Sequence, residues 1–188
     1  MGKTNIQLVT KRFRVSYPNV FKPRTNEMSG KDEYNVQALW PKGTDLTELL
    51  TAIESVKVAK WGPDETKWPK FKYEPLKPHG KTDEKTGKVT YPDGHEEGGM
   101  SANLKCNADV SKPVVTKNKG KDLITDPADF YAGCWAVAQI SVSAYDAPGN
   151  KGVSLYLNSI CKVGDGEPLS GRMKPEDAFS AIEETTDF

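Results

Sequence analysis

Lysines and aromatic residues interleave in one stretch of the chain: Lys60, Trp61, Lys67, Trp68, Lys70, Phe71, Lys72, Tyr73, Lys77 and Lys81. Ammonium groups neutralise phosphates and aromatic rings stack on unpaired bases. Together they hold single-stranded nucleic acid at roughly 1–3 kcal/mol per stacked base, without demanding a sequence. The same residues admit a structural use, in which Trp61, Trp68 and Phe71 cap the open end of a core and the lysines keep the surface soluble.

Residues for bond-making chemistry are sparse by comparison. The sequence has no glycine-rich phosphate loop ending in GKS or GKT, no GxGxxG, no GxSxG and no HExxH. His79 and His95 lie beside Gly or Pro in a polar region, where solvated loop histidines are expected. Cys106, Cys134 and Cys161 stand 28 and 27 positions apart, too far for the short ligand spacings of a structural zinc site. Their odd number argues against a disulfide framework and for a reducing compartment. Acidic groups cluster at Asp83, Glu84, Asp93, Glu96 and Glu97, in loops rather than on rigid strands around one point, so no metal or other cofactor is expected.

Alternation positions these residues. Phe13, Val15 and Tyr17 alternate with Arg12, Arg14 and Ser16, which predicts a half-buried strand ended by Pro18 and Pro23. A second strand is expected over 34–40, up to Pro41. The segment 45–60 carries Leu46, Leu49, Leu50, Ile53 and Val56 at spacings of three and four behind Thr44 or Asp45, the pattern of a capped amphipathic helix. Residues 61–99 hold 5 of the 13 prolines and read as a long insertion with a hairpin turning at Glu84–Gly87. Further strands are expected over 101–107, 135–145 and 153–163, with a short one at Val114–Val115; the two long ones are joined by a turn-rich loop over 146–152.

The chain's 188 residues suffice for one domain with a core. Its fold class is mainly β: an OB-like five-stranded barrel with one α-helix and a long loop or hairpin insertion. The domain is drawn as 1–175, with an acidic tail over 176–188. In that barrel Ala136, Ala138, Ile140 and Val142 face in, which turns Trp135 and Tyr145 outward; Leu155, Leu157 and Cys161 face in, which turns Tyr156 and Lys162 outward. Arg12, Arg14, Asn35, Gln37, Asn103 and Lys105 count outward by the same rule. A nucleic-acid site then has Arg12, Arg14, Lys105 and Lys162 on phosphates, and Trp135, Tyr145 and Tyr156 on bases, joined by Trp61, Trp68 and Lys70. An alternative leaves the outward rings covered by the insertion or the tail.

Charge is divided along the chain. Lys and Arg number 26, as do Asp and Glu, but the last thirteen residues hold five acids and no base, leaving residues 1–175 with 26 bases against 21 acids. No apolar run is long enough to span a membrane, and the start MGKTNIQLVTKR lacks the apolar segment of a secretory signal.

The runs RFRVSYPNVFKP, YNVQALWPKGTDL and DFYAGCWAVAQISVSAYDAPGNKGVSLYLNSICKVGDGEPLSGR resemble a family of phage single-stranded-DNA-binding proteins, the Enc type, once catalogued as a domain of unknown function. The resemblance spans nearly the whole chain. It implies an OB-fold that binds single-stranded DNA without sequence preference during phage replication or recombination in the bacterial cytoplasm. The end of the chain, with Glu183, Glu184, Asp187 and Phe188, is also similar to the acidic, aromatic-ended tails of such proteins. These dock a polymerase, helicase or recombinase and compete with DNA. No enzymatic activity and no membrane partner are implied, and a homodimer is left open. Two rival classes stay in view: a metal-dependent nuclease or recombination enzyme, and a small virion or assembly protein.

Overall fold

The computed structural model describes residues 4–169. Its strands are β1 (Asn5–Val9), β2 (Phe13–Thr25), β3 (Asp32–Trp40), β4 (Lys77–Pro78), β5 (Lys81–Thr82), β6 (Val89–Thr90), β7 (Met100–Asn107), β8 (Val114–Lys117), β9 (Asp122–Leu123), β10 (Trp135–Ala147) and β11 (Asn150–Gly164), with one α-helix, α1 (Thr47–Trp61). Five strands close a ring in the order β2, β3, β7, β11, β10 and back to β2. Every neighbouring pair is antiparallel except β7 with β11, which meet in parallel at Lys105 and Tyr156. The ring of five with one helix agrees with the expected barrel. β1 extends one side of β10, β8 and β9 extend β11, β4 adds to β7, and β5 with β6 forms the hairpin expected inside the insertion.

Alternation fills the barrel as expected. Phe13, Val15, Val36, Ala38, Leu104, Ala136, Ala138, Ile140, Val142 and Leu157 are fully buried. Trp40 is buried too: its ring meets Phe13 edge-on at 5.7 Å and its Nε1 donates to the Lys11 carbonyl at 3.1 Å, satisfying the one polar atom an indole carries inside. Helix α1 buries Leu49, Ala52, Ile53 and Val56 against the barrel and leaves Leu50, counted in its apolar stripe, exposed. The Asp45 carboxylate accepts the Thr47 N–H at its start, and Gly62, at φ 90°, ends it.

Three local expectations are corrected, all by backbone irregularity. Strand β2 does not end at Pro18 or Pro23 but runs to Thr25. Its register against β3 slips between Ser16 and Asn19 and again between Asn19 and Arg24, and each proline falls in a slip, where no ladder N–H is required of it. The first slip turns Tyr17, counted inward by alternation, out to 70% exposure. In β11 a bulge leaves Asn158 without a partner between Leu157 and Ser159, which inverts the alternation beyond it. Ile160 is buried in place of Cys161, and Lys162 pairs with core-facing Ala136 with its side chain only 16% exposed, rather than pointing out.

The histidines are not freely solvated loop residues either, since His95 is half-buried. His79 is buried, its ring 4.7 Å from that of His95, and its Nδ1 accepts the Glu96 N–H at 3.0 Å, while His95 Nδ1 accepts the Gly80 N–H at 3.1 Å. The pair fastens both ends of the β5–β6 hairpin. His79 rests on Gly99, where any Cβ would collide with the imidazole.

Candidate nucleic-acid interface

The sequence-predicted site residues fall into three groups, one of which lines a groove. A groove of about 470 Å³ crosses the outer face of β3 and β7. Glu33, Asn35 and Gln37 of β3 and Ser101, Asn103 and Lys105 of β7 form its floor, because they alternate with the buried residues of the two strands. One end is bounded by Asn26 and Met28 of the β2–β3 loop. The hairpin joining β10 to β11 places Tyr145 in the lining, and Tyr73 comes from the insertion. Tyr145 hydrogen-bonds Asn150 across that hairpin at 3.3 Å. Burial pushes its phenol above the ordinary tyrosine value, with the phenols of Tyr156 and Tyr73 adding to the shift, so three tyrosines share this region. Tyr156 is opposite Lys105 in the β7–β11 pairing and alternates outward from buried Leu155 and Leu157.

Tyr73 is a functional candidate that alternation on the strands did not reach. The residue is 39% exposed, with Lys72 Nζ 5.3 Å and Lys77 Nζ 5.8 Å from its ring centroid. Each ammonium faces the electron-rich ring and remains available to a phosphate. The signal that could have singled it out was its place in the lysine-aromatic run, where residue type alone does not distinguish it from Trp61 or Trp68. The charge of the lining is mixed. Lys77 and Lys105 stand with Glu33 and Glu74, the Lys105 ammonium is 3.3 Å from Glu33 Oε2, and Glu74 reaches Lys57 at 3.6 Å.

A second group gathers where β2 meets β10. The Arg12 guanidinium stacks 4.5 Å above the half-buried Trp135 indole, and Trp135 pairs with Arg14 across the strands. Arg14 donates to the Gly133 carbonyl at 3.4 Å and the Glu167 carbonyl at 2.5 Å. The segment 165–169 thus lies as a strap over this junction. A Cβ on either Gly133 or Gly166 would run into the backbone of the facing segment, so both positions require glycine for the approach. Lys162 is enclosed here as well: its ammonium donates to the Asp129 carbonyl at 2.8 Å, pairs with Asp165 at 2.7 Å and sits 5.0 Å from the Tyr131 ring centroid. Burial favours its neutral form, but the Asp165 carboxylate outweighs that and lifts its pKa above the ordinary lysine value.

Trp61 and Trp68 belong to a third group. Both pack on Phe71, at 5.0 and 6.3 Å, with Lys57 Nζ 4.8 Å above the Phe71 ring. Trp68 Nε1 donates to the Gly62 carbonyl at 2.8 Å, and Trp61 Nε1 to Asp146 at 3.3 Å. The cluster ties the end of α1 to the hairpin that carries Tyr145. Asp146 also pairs with Lys151 at 3.0 Å, and this contact, followed by the Trp61 bond, holds its carboxyl below the ordinary value. Lys70 is exposed in the insertion. Glu183, Glu184, Asp187 and Phe188 lie outside the described residues. Among the described residues no group of three or more His, Cys, Asp or Glu is placed to hold a metal ion.

This barrel is similar to solved structures of phage proteins. The single-stranded DNA-binding protein of bacteriophage Enc34, in complex with ssDNA, superposes with a TM-score of 0.65 at 22% identity over 87% of this chain and 89% of that one. A second structure of that protein gives 0.62 at 24% identity over 92% and 89%. The structure of gp2.5, a single-stranded DNA binding protein encoded by bacteriophage T7, gives 0.57 at 16% identity over 98% of each chain. At such identities the likeness speaks for the fold. No match was found among curated proteins. Residues 6–188, nearly the whole sequence, match the family described as Enterobacter phage Enc34, ssDNA-binding protein, and the chain belongs to that family.

Proposed function

We propose that this protein binds single-stranded DNA without sequence preference along the β3–β7 groove, serves phage DNA replication or recombination in the cytoplasm of the bacterial host, and acts by binding rather than by catalysis. The observation that carries the reading is the groove itself. Counted around the ring, β3 and β7 are the second and third strands, and the groove is flanked by the loops joining the first strand to the second and the fourth to the fifth. That is the face on which five-stranded barrels of this topology take oligonucleotides.

The chemistry follows from the lining. Bases stack on the Tyr73 and Tyr145 rings, whose π-faces accept any base, which is why no sequence is read. Lys77 and Lys105 neutralise phosphates, and the amides of Asn35, Gln37 and Asn103 bond to whatever polar edge or phosphate oxygen passes. Glu33 and Glu74 restrain affinity, so binding is modest in strength and sensitive to salt.

The test is an anisotropy titration of labelled poly-dT, a mixed-sequence strand and a duplex at two salt concentrations. The two single strands should bind comparably, with log affinity falling by about 0.7 per phosphate contacted for each unit of log salt. A preference for the duplex contradicts the reading. The tail over 176–188 is assigned two roles: an acidic mimic of DNA that competes for the groove, and a dock for a polymerase, helicase or recombinase anchored by Phe188. Deleting it should tighten DNA binding at low salt, and unchanged affinity there would remove the competing role.

A further inference from the structure

The β3–β7 groove does not account for the most exposed ring on the barrel. Tyr17 is 70% exposed and its backbone sits in the left-handed region at φ 45°, a conformation a bulky residue adopts rarely and at a cost of order 1–3 kcal/mol. The cause is local: Tyr17 and Pro18 are the two residues of β2 left unpaired by the slip between Ser16 and Asn19, so the bulge pushes the ring out of the ladder. An alternating strand at this position would have buried it beside Val15. Beside the ring lies a second cavity of about 480 Å³, walled by Pro92, His95 and Leu169, with Lys81 as its cation and Asp93 as its carboxylate. Lys81 forms no ion pair with any described residue. Gln37, on the floor of the first groove, lines this cavity also, so the two depressions adjoin across a single side chain.

We infer that the Tyr17 cavity is a second nucleotide subsite, in which a base of the strand leaving the β3–β7 groove past Gln37 stacks on Tyr17 while its phosphate pairs with Lys81. This rests on the reading of the first groove as the DNA site. A strand running over Gln37 meets an exposed ring on one side and a free ammonium on the other, the two groups that single-strand binding uses. Asp93 keeps the phosphate on the Lys81 side. The extruded, strained position of Tyr17 has a use in this arrangement, since a ring held clear of the sheet presents a face to a base.

The experiment compares labelled oligo-dT of about 6 and about 12 nucleotides, short and long relative to the site sizes such barrels cover, on the full chain and its variants. Tyr17→Ala should weaken the longer strand about five-fold or more and leave the shorter one within two-fold, as expected for one lost stack. Tyr145→Ala should weaken both. Tyr17→Phe should restore binding of the longer strand, because the ring and not the hydroxyl is used. Tyr17→Gly, which suits the left-handed backbone, should bind like the alanine variant while melting no lower than the wild type, separating lost stacking from lost stability. If Tyr17→Ala binds both lengths like the wild type while Tyr145→Ala is impaired, the second subsite is refuted and the groove stands. If the wild type binds neither oligonucleotide, the reading of the groove itself fails.

Discussion

The phenol of Tyr145 lies over Gly152, its partner across the β10–β11 hairpin, so closely that a Cβ at 152 would come 2.9 Å from the hydroxyl oxygen. The glycine leaves room for the ring to lie along the sheet and into the groove. Gly152→Ala should therefore displace the ring without straining the backbone. The expected outcome is several-fold weaker binding of single-stranded DNA with a melting temperature within a few degrees of wild type. Unchanged affinity would show that the ring's position is immaterial.

Lys105 is the groove cation most directly answered by a carboxylate, Glu33, at 3.3 Å. Removing that carboxylate leaves the ammonium to phosphates. Glu33→Gln should raise affinity at low salt and steepen the salt dependence, whereas Lys105→Gln should flatten the log–log slope by about 0.7, the value of one phosphate contact on a single strand. Parallel slopes for all three proteins would place Lys105 outside the DNA path.

The Arg12 guanidinium over the Trp135 indole is a contact between an exposed cation and a half-buried ring. A double-mutant cycle of Arg12→Ala and Trp135→Ala in urea denaturation should return a coupling of about 0.5–1 kcal/mol, the range for partly exposed pairs of this kind. The Trp135 variant should also lose stability on its own, since Gly166 and the strap pack against the indole edge. A vanishing coupling would mean that the stack contributes nothing in solution.

Burial holds both His79 and His95 below the ordinary histidine value; His95 is lowered further by His79 and Lys81, while the Met100 backbone and Glu96 oppose the shift at His79. Each Nδ1 accepts a backbone N–H, so both rings are neutral with the proton on Nε2. Between those depressed values and about 6.5 the unfolded chain binds more protons than the folded one, so the pair's contribution is complete above about pH 6.5 and is lost as pH falls below it. The urea midpoint should drop between about pH 7.5 and about pH 5, before the carboxylates titrate. The drop should shrink in a His95→Gln variant. A midpoint flat over this interval would contradict the assignment.

What the sequence made legible was the part of the barrel where alternation runs unbroken. From Ala136 to Val142 every second residue is buried, as counted, and the helix, the insertion hairpin and the closing strands lie close to where periodicity and turn residues put them. Bulges defeated the count elsewhere, because one extra residue inverts every side chain beyond it: Tyr17 came out, and Lys162 and Cys161 exchanged faces with their neighbours. β1 escaped notice because only Leu8 of its five residues is buried. For the site, Tyr145 and Lys105 were reached by alternation. Trp61 and Trp68 were not separable from Tyr73 by type, since whether an aromatic ring packs on Phe71 or opens to a groove depends on contacts distant in sequence.

The central claim is that single-stranded DNA lies in the groove over β3 and β7. Ultraviolet crosslinking of oligo-dT to the full chain, followed by mass spectrometry of the adducted peptides, tests it most directly. The account predicts adducts on the peptides bearing Tyr73 and Tyr145. Adducts confined to the peptides of Trp135 or of the Trp61–Trp68 cluster would contradict it.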